Sequence, residues 1–397
     1  MLTKQLLTLI TISVCVNLSF AQTQVADSIK KTDTHPPFYF DGYADVYYAT
    51  YSESNKAGTI ATNGVVGPKN NSLGLNILQL SGNYNNDDVR GKITLQVGDI
   101  PTQIWPAEYR FVQEAYVGAR IGKKTWLDAG FFKTHIGAEI LPGRYNMLST
   151  IAMVTYNEPF FQGGLRLVQE TNSKFNWGIH LLDGFNKFTK NTAIPALGVN
   201  GTYSINGKLQ LTYTNLLSDE VLNNNFNLRF YNNFNVAYAN KKWQLLFGLD
   251  VVTQQTNAYD ISLKNYADVV IGSLLTIKHQ TFKKIAFIIR PEYFYDRHGM
   301  LSTPINAQYN PADINHVAPY FLLTNTGTEK PDGYKTTGIT IGAELKLHSE
   351  HYVRIETRYL NNFTNQKTYD NSWGVFSGTK TNQRIELVIT TGLWFDK

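Results

Sequence analysis

The sequence predicts an all-β fold: a transmembrane antiparallel up-and-down β-barrel of about 16 strands (14–18), with long external loops and short periplasmic turns. Three observations predict it. Apolar and polar residues alternate with period two along most of the chain, which in a strand sends them to opposite faces. The alternating segments mostly run nine to fifteen residues, long for a globular strand but suited to a tilted membrane-crossing one. The connections are alternately short and long from one end to the other, as in single-chain outer-membrane barrels.

The elements follow in order. Lys4, the apolar run Leu6–Val16 and the small residues of Ser19-Phe20-Ala21 read as a Sec signal peptide cut after Ala21. Cys15 follows Val14, where a lipoprotein signal wants a small residue, so lipid attachment is not expected. Residues 22–37 are a short periplasmic segment, and 38–397 form one barrel domain. Its alternating segments are 38–50, 73–83, 88–97, 112–121, 124–132, 162–171, 174–184, 196–204, 207–216, 227–239, 241–253, 266–279, 282–296, 334–347, 352–363 and 382–395. Short links fall at Asn85–Asp87, Gly122–Lys123, Asn172–Ser173, Ile205–Asn206, Asn240, Gln280–Thr281 and His348–His351. Long links are 51–72, 98–111, 133–161, 185–195, 217–226, 254–265, 297–333 and 364–381. A soluble Greek-key sandwich gives the same alternation but has no reason to alternate its loop lengths.

Composition agrees. The chain has 397 residues, 43% hydrophobic, 13% aromatic and only 17% charged, against about 25% charged in a typical soluble domain. So many Tyr and Phe with so few charges argue against disorder. A net charge of +5 without a basic block makes nucleic acid a poor partner. No later apolar run reaches the length of a membrane helix, about 20 residues.

A polar inner face of about sixteen strands lines water. Alternation puts Arg90, Lys92, Arg120, Arg166, Arg290, Lys346, Arg354, Arg358 and Arg384 there, with Glu114, Tyr116, Asp128, Glu170, Glu292, Glu344, Glu356 and Glu386. The basic side chains outnumber the acidic ones nine to seven, a mild anion preference at most. Cross-strand pairing offers a purely structural account of the same charges. The third long loop, 133–161, is the constriction candidate through Lys133, His135, Glu139, Arg144 and Glu158.

Several strings carry a family resemblance: FYFDGYADVYYATY (38–51), NNDDVRGKITLQVGDIPTQIW (85–105), VQEAYVGARIGKKTWLDAGFFKTHIGAE (112–139) and TYNEPFFQGGLRLVQE (155–170). They resemble the OmpL-like β-barrel porin family of Bacteroidota. The resemblance spans most of the mature chain and implies an outer-membrane pore. One departure is the C-terminus, Leu393-Trp394-Phe395-Asp396-Lys397, where the aromatic residue usual at the end of such barrels lies two positions inward.

The function expected is therefore an outer-membrane porin of a Gram-negative bacterium, passing small hydrophilic solutes or ions. The alternative is a binding or adhesion barrel with a closed lumen, acting through loops 297–333 and 364–381. An enzyme acting on lipid is the weakest reading: His135, His180 and His348 lie scattered without a Ser motif, and no His or Cys cluster has metal spacing. Asp87-Asp88 and Asp296 read as turn acids, and Gly163-Gly164 opens a strand, not a phosphate-binding helix. No cofactor is expected. The expected partners are outer-membrane lipid and lipopolysaccharide, the solutes, and the barrel-assembly machinery during biogenesis. A homo-oligomer is left open.

Overall fold

The computed structural model describes residues 36–52, 57–58, 68–170, 174–190, 192, 194–219, 228–254, 268–302, 333–364, 369–371 and 379–396. The expected signal peptide and most of loops 297–333 and 364–381 lie outside them.

The strands are β1 Phe38–Tyr51, β2 Ser72–Asn85, β3 Val89–Val97, β4 Val112–Gly122, β5 Thr125–Lys133, β6 Phe161–Glu170, β7 Phe175–Leu182, β8 Ala196–Ser204 and β9 Leu209–Asp219. They continue as β10 Leu228–Ala239, β11 Trp243–Gln254, β12 Asp268–Gln280, β13 Ile285–Asp296, β14 Tyr334–Leu345, β15 His351–Asn362, β16 Tyr369–Asn371, β17 Thr379–Thr381 and β18 Gln383–Asp396. Sixteen of them close into one antiparallel barrel. Each barrel strand pairs with its sequence neighbours, β15 pairs with β18, and β18 returns to β1. The closing ladder runs from Asp41 opposite Asp396 to Tyr51 opposite Glu386. β16 and β17 form a separate ribbon within the last long loop.

Every alternating segment of the sequence recurs as a barrel strand, with bounds moved by a few residues. The turn after β12 is Thr281–Lys284, because Gln280 stays in the ladder opposite Ala286. The tight turns have a repeated cause. Asn86, Asn206 and Asn240 each accept two backbone N–H bonds through Oδ1, from the residues two and three positions on. This is the Asx-turn geometry that asparagine favours.

The period of two separates the faces as a bilayer requires. On β3, Val89, Ile93, Leu95 and Val97 are exposed, while Arg90, Lys92, Thr94 and Gln96 turn inward. Around the barrel the exposed band continues through Leu78, Val117, Leu165, Ile179, Phe287, Ile341 and Ile355. Hydrocarbon offers no partner for a backbone group, and a closed ladder leaves no strand edge unpaired.

Candidate functional site

The lumen is shaped by the segment between β5 and β6. It leaves the wall at Lys133, crosses the interior and returns at Phe161. At its root His135 stacks on His180 of β7, ring centroids 4.1 Å apart. The His135 ring nitrogens lie 2.8 Å from Gln162 Oε1 and 2.9 Å from the Asn215 carbonyl of β9. Burial pushes this imidazole below its ordinary pKa. Next, the Gly137 carbonyl accepts from Asn235 Nδ2 of β10 at 3.0 Å.

The far wall holds the segment with charge. Arg290 of β13 donates to Glu139 at 2.8 Å and to the Thr150 carbonyl at 2.5 Å. Glu292 accepts from the Met153 amide at 2.6 Å and from Arg358 at 2.8 and 2.9 Å. Arg354 of β15 donates to the Gly143 and Asn146 carbonyls at 2.9 and 2.7 Å, and to Glu344 at 2.8 Å. Glu356 accepts from the Ser149 and Thr150 amides and the Thr150 hydroxyl at 2.5, 3.0 and 2.6 Å. The Ser149 and Thr390 hydroxyls meet at 2.7 Å across to β18. Glu386 completes the row beside Arg358 and Arg384 at 3.5 and 3.4 Å. Arg290, Arg358 and Arg384 are among the largest fully buried side chains. Eight of the expected lumen charges thus lie on the inner face but under the inserted segment or within its network: Arg290, Glu292, Glu344, Arg354, Glu356, Arg358, Arg384 and Glu386.

Apolar contact joins this clamp. Ile136, Ala152, Met153 and Val154 pack with Leu274, Phe294 and Leu360 of the wall. Four inward glycines make room. A Cβ at Gly198 would lie 2.6 Å from His135, at Gly248 2.7 Å from Ala138, at Gly272 2.2 Å from Val154 and at Gly342 2.8 Å from Leu148. Those approaches are shorter than real Cβ contacts, so the segment seats on glycine backbone in β8, β11, β12 and β14.

The opposite wall, β3–β6, is left open. Arg90 grips Asp128 through two bonds of 2.8 and 2.7 Å, and Arg166 donates to the same carboxylate at 2.7 Å. Arg166 lies over the rings of Phe132 and Tyr116 at 4.2 and 4.6 Å. Lys92 and Lys133 flank Glu114 at 3.3 and 3.8 Å. Arg120, at the turn end of β4, faces Asp87 at 3.7 Å and shares the Trp126 ring with Arg90. Arg144, carried in by the inserted segment, reaches Asp41 at 3.7 Å and lies over Tyr43. Beside the segment remains a cavity of about 340 Å³, reached by Glu114, Lys133 and Arg166 from this wall, by Arg144 and Tyr145 from the segment, and by Lys278, Glu344, Lys346 and Arg354 from the far wall. The Glu170 side chain lies outside the described residues.

Among the inner-face groups that escaped the sequence reading are Asp250, Asn235 and Lys278, the last bonded to Glu344. The alternation marks all three, since each sits between outward neighbours in a strand. Glu158 is buried against Asp250. Burial, then the charges of Asp250 and Glu139, push the Glu158 carboxyl well above the ordinary value of 4.5. Among the described residues no group of three or more His, Cys, Asp or Glu side chains could hold a metal ion.

Comparisons agree with this architecture. The family model described as "Putative beta-barrel porin-2, OmpL-like" matches residues 37–395. A search of curated proteins gave no match. Among solved structures, the chain is similar to an anion-selective porin from Comamonas acidovorans at a TM-score of 0.55 and 11% identity, covering 90% of this chain and 99% of that one. It is also similar to the outer membrane channel DcaP of Acinetobacter baumannii, with a TM-score of 0.54, 10% identity, and 90% and 96% covered. Salmonella typhi OmpF, in a complex with daunomycin, gives 0.54, 12%, 90% and 97%. At such identities the likeness speaks for the fold.

Proposed function

This chain belongs to the OmpL-like beta-barrel porin-2 family, and from that premise we propose that its lumen passes small hydrophilic solutes by diffusion, with a preference for anions. It is an outer-membrane porin; the solute class and the charge preference are the proposal. The observation that carries the preference is an imbalance between the two walls. Under the inserted segment, Arg290, Arg354, Arg358, Arg384 and Lys278 face Glu139, Glu292, Glu344, Glu356 and Glu386, five against five. On the open wall, Arg90, Lys92, Lys133, Arg166 and the incoming Arg144 face Glu114, Asp128 and Asp41, five against three. Charge lining a pore sets which ion enters, so the surplus that counts is the one beside open space. Nothing in this reading calls for covalent chemistry, and lipid contacts only the outer apolar band.

Planar-bilayer recording of the purified, folded protein under a salt gradient tests it. The expected reversal potential has the sign of anion selectivity. Failure to pass any ion or small sugar would sink the porin reading, and a cation-selective potential would sink the preference alone.

A further inference from the structure

We propose, building on the anion-preferring pore, that the open wall holds a saturable site for short dicarboxylates, with one carboxylate at Arg166 and Arg90 and the other at Lys92 and Lys133. The local charge is the first argument. Five cations, Arg90, Lys92, Lys133, Arg166 and the incoming Arg144, surround three carboxylates, Glu114, Asp128 and Asp41, and the cationic side chains are only 14–23% exposed. Two positive charges are left without counterparts where water is scarce, and electrostatic attraction strengthens as the effective dielectric falls. The complement of that surplus is a dianion.

Donor geometry is the second argument. Arg166 gives Asp128 only its Nε–H; no hydrogen bond from its two Nη groups is found among the described residues. Its plane is held against Phe132 and Tyr116, and the cavity opens beside it. A guanidinium pinned by its faces offers its edge, the fork that matches a carboxylate. Spacing is the third. Lys92 lies two residues beyond Arg90 on β3, about 7 Å along the strand. That separation suits the two ends of a short aliphatic dicarboxylate. An inorganic dianion such as sulfate reaches one end only.

The test uses the full folded protein in two ways. In bilayers held in chloride, succinate, sulfate and acetate are added at matched ionic strength. Succinate should lower chloride conductance saturably, at roughly tenfold lower concentration than acetate or sulfate. Arg166→Gln and Lys92→Gln should each bring succinate down to the level of acetate. Calorimetric titration of succinate into detergent-solubilised protein should show the same ranking without needing conduction. Equal block by acetate and succinate overturns the site. So does sulfate acting as strongly as succinate with Lys92→Gln indifferent, because the two-ended geometry is then wrong. Binding without conduction would overturn the pore reading and leave the site standing.

Discussion

The wall of β13–β18 and the wall of β3–β6 are written in the same code, alternating apolar and charged residues, yet their charges do different work. On the first, arginine and glutamate are buried beneath or beside the inserted segment and balanced pair for pair. On the second, the side chains keep a share of water and leave a positive surplus. The difference lies in the segment 133–161, not in the strands. An inward charge becomes structural where the segment covers it and functional where it does not.

Removing the cover should have the largest effect. Deletion of Ala138–Asn146 takes out Glu139's bond to Arg290, both carbonyls gripped by Arg354 and the Arg144 side chain. The expected result is a several-fold rise in single-channel conductance, since the segment spans the lumen. An unchanged conductance would refute a constricting role.

Single substitutions should separate the walls next. Arg290→Ala strands Glu139 in a dry setting and loosens Glu292. Breaking such a buried pair costs about 3–5 kcal/mol, to be read as earlier thermal unfolding and noisier conduction. Arg90→Ala leaves Asp128 still paired with Arg166, and Arg90 itself keeps contact with water. Its cost should be smaller than that of Arg290→Ala, because Asp128 keeps one cation, while the reversal potential moves toward cations. If the two variants were equally destabilising, the contrast between clamp and pore lining would fail.

The barrel was legible in the sequence because period-two alternation and loop length are local signals. Each strand announced itself within about ten residues, and the pairing of neighbours followed. The clamp was not legible in the same way. Its contacts join Ser149 to Thr390 and Arg290 to Glu139, residues 241 and 151 apart. Alternation says that Arg354 and Arg166 both point inward; it does not say which of them meets a carbonyl of the inserted segment. A partial signal was present in the inward glycines. Gly198, Gly248, Gly272 and Gly342 stand where side chains should line a water-filled lumen, and their absence marks the track on which the segment lies. Asp250 and Lys278 carry the alternation as plainly as Arg290, but within longer apolar runs.

Glu158 sharpens the comparison at its weakest point, the wall of β10 and β11, where the segment is held without a cation at its end. Its charged neighbours are Asp250 and Glu139, both acids, while Tyr231 and Asn233 donate to Asp250. The seat therefore favours the protonated carboxyl. Because the folded-state pKa lies above the ordinary 4.5, the contribution to docking is complete below 4.5 and is lost as pH rises through the raised value. The change is about 1.4 kcal/mol for each pH unit crossed in that window. Open-channel noise should grow with pH across that window in the native protein. Glu158→Gln, which keeps the shape and cannot ionise, should hold the low-noise state throughout. A pH profile identical in both would place the weak point elsewhere along the segment.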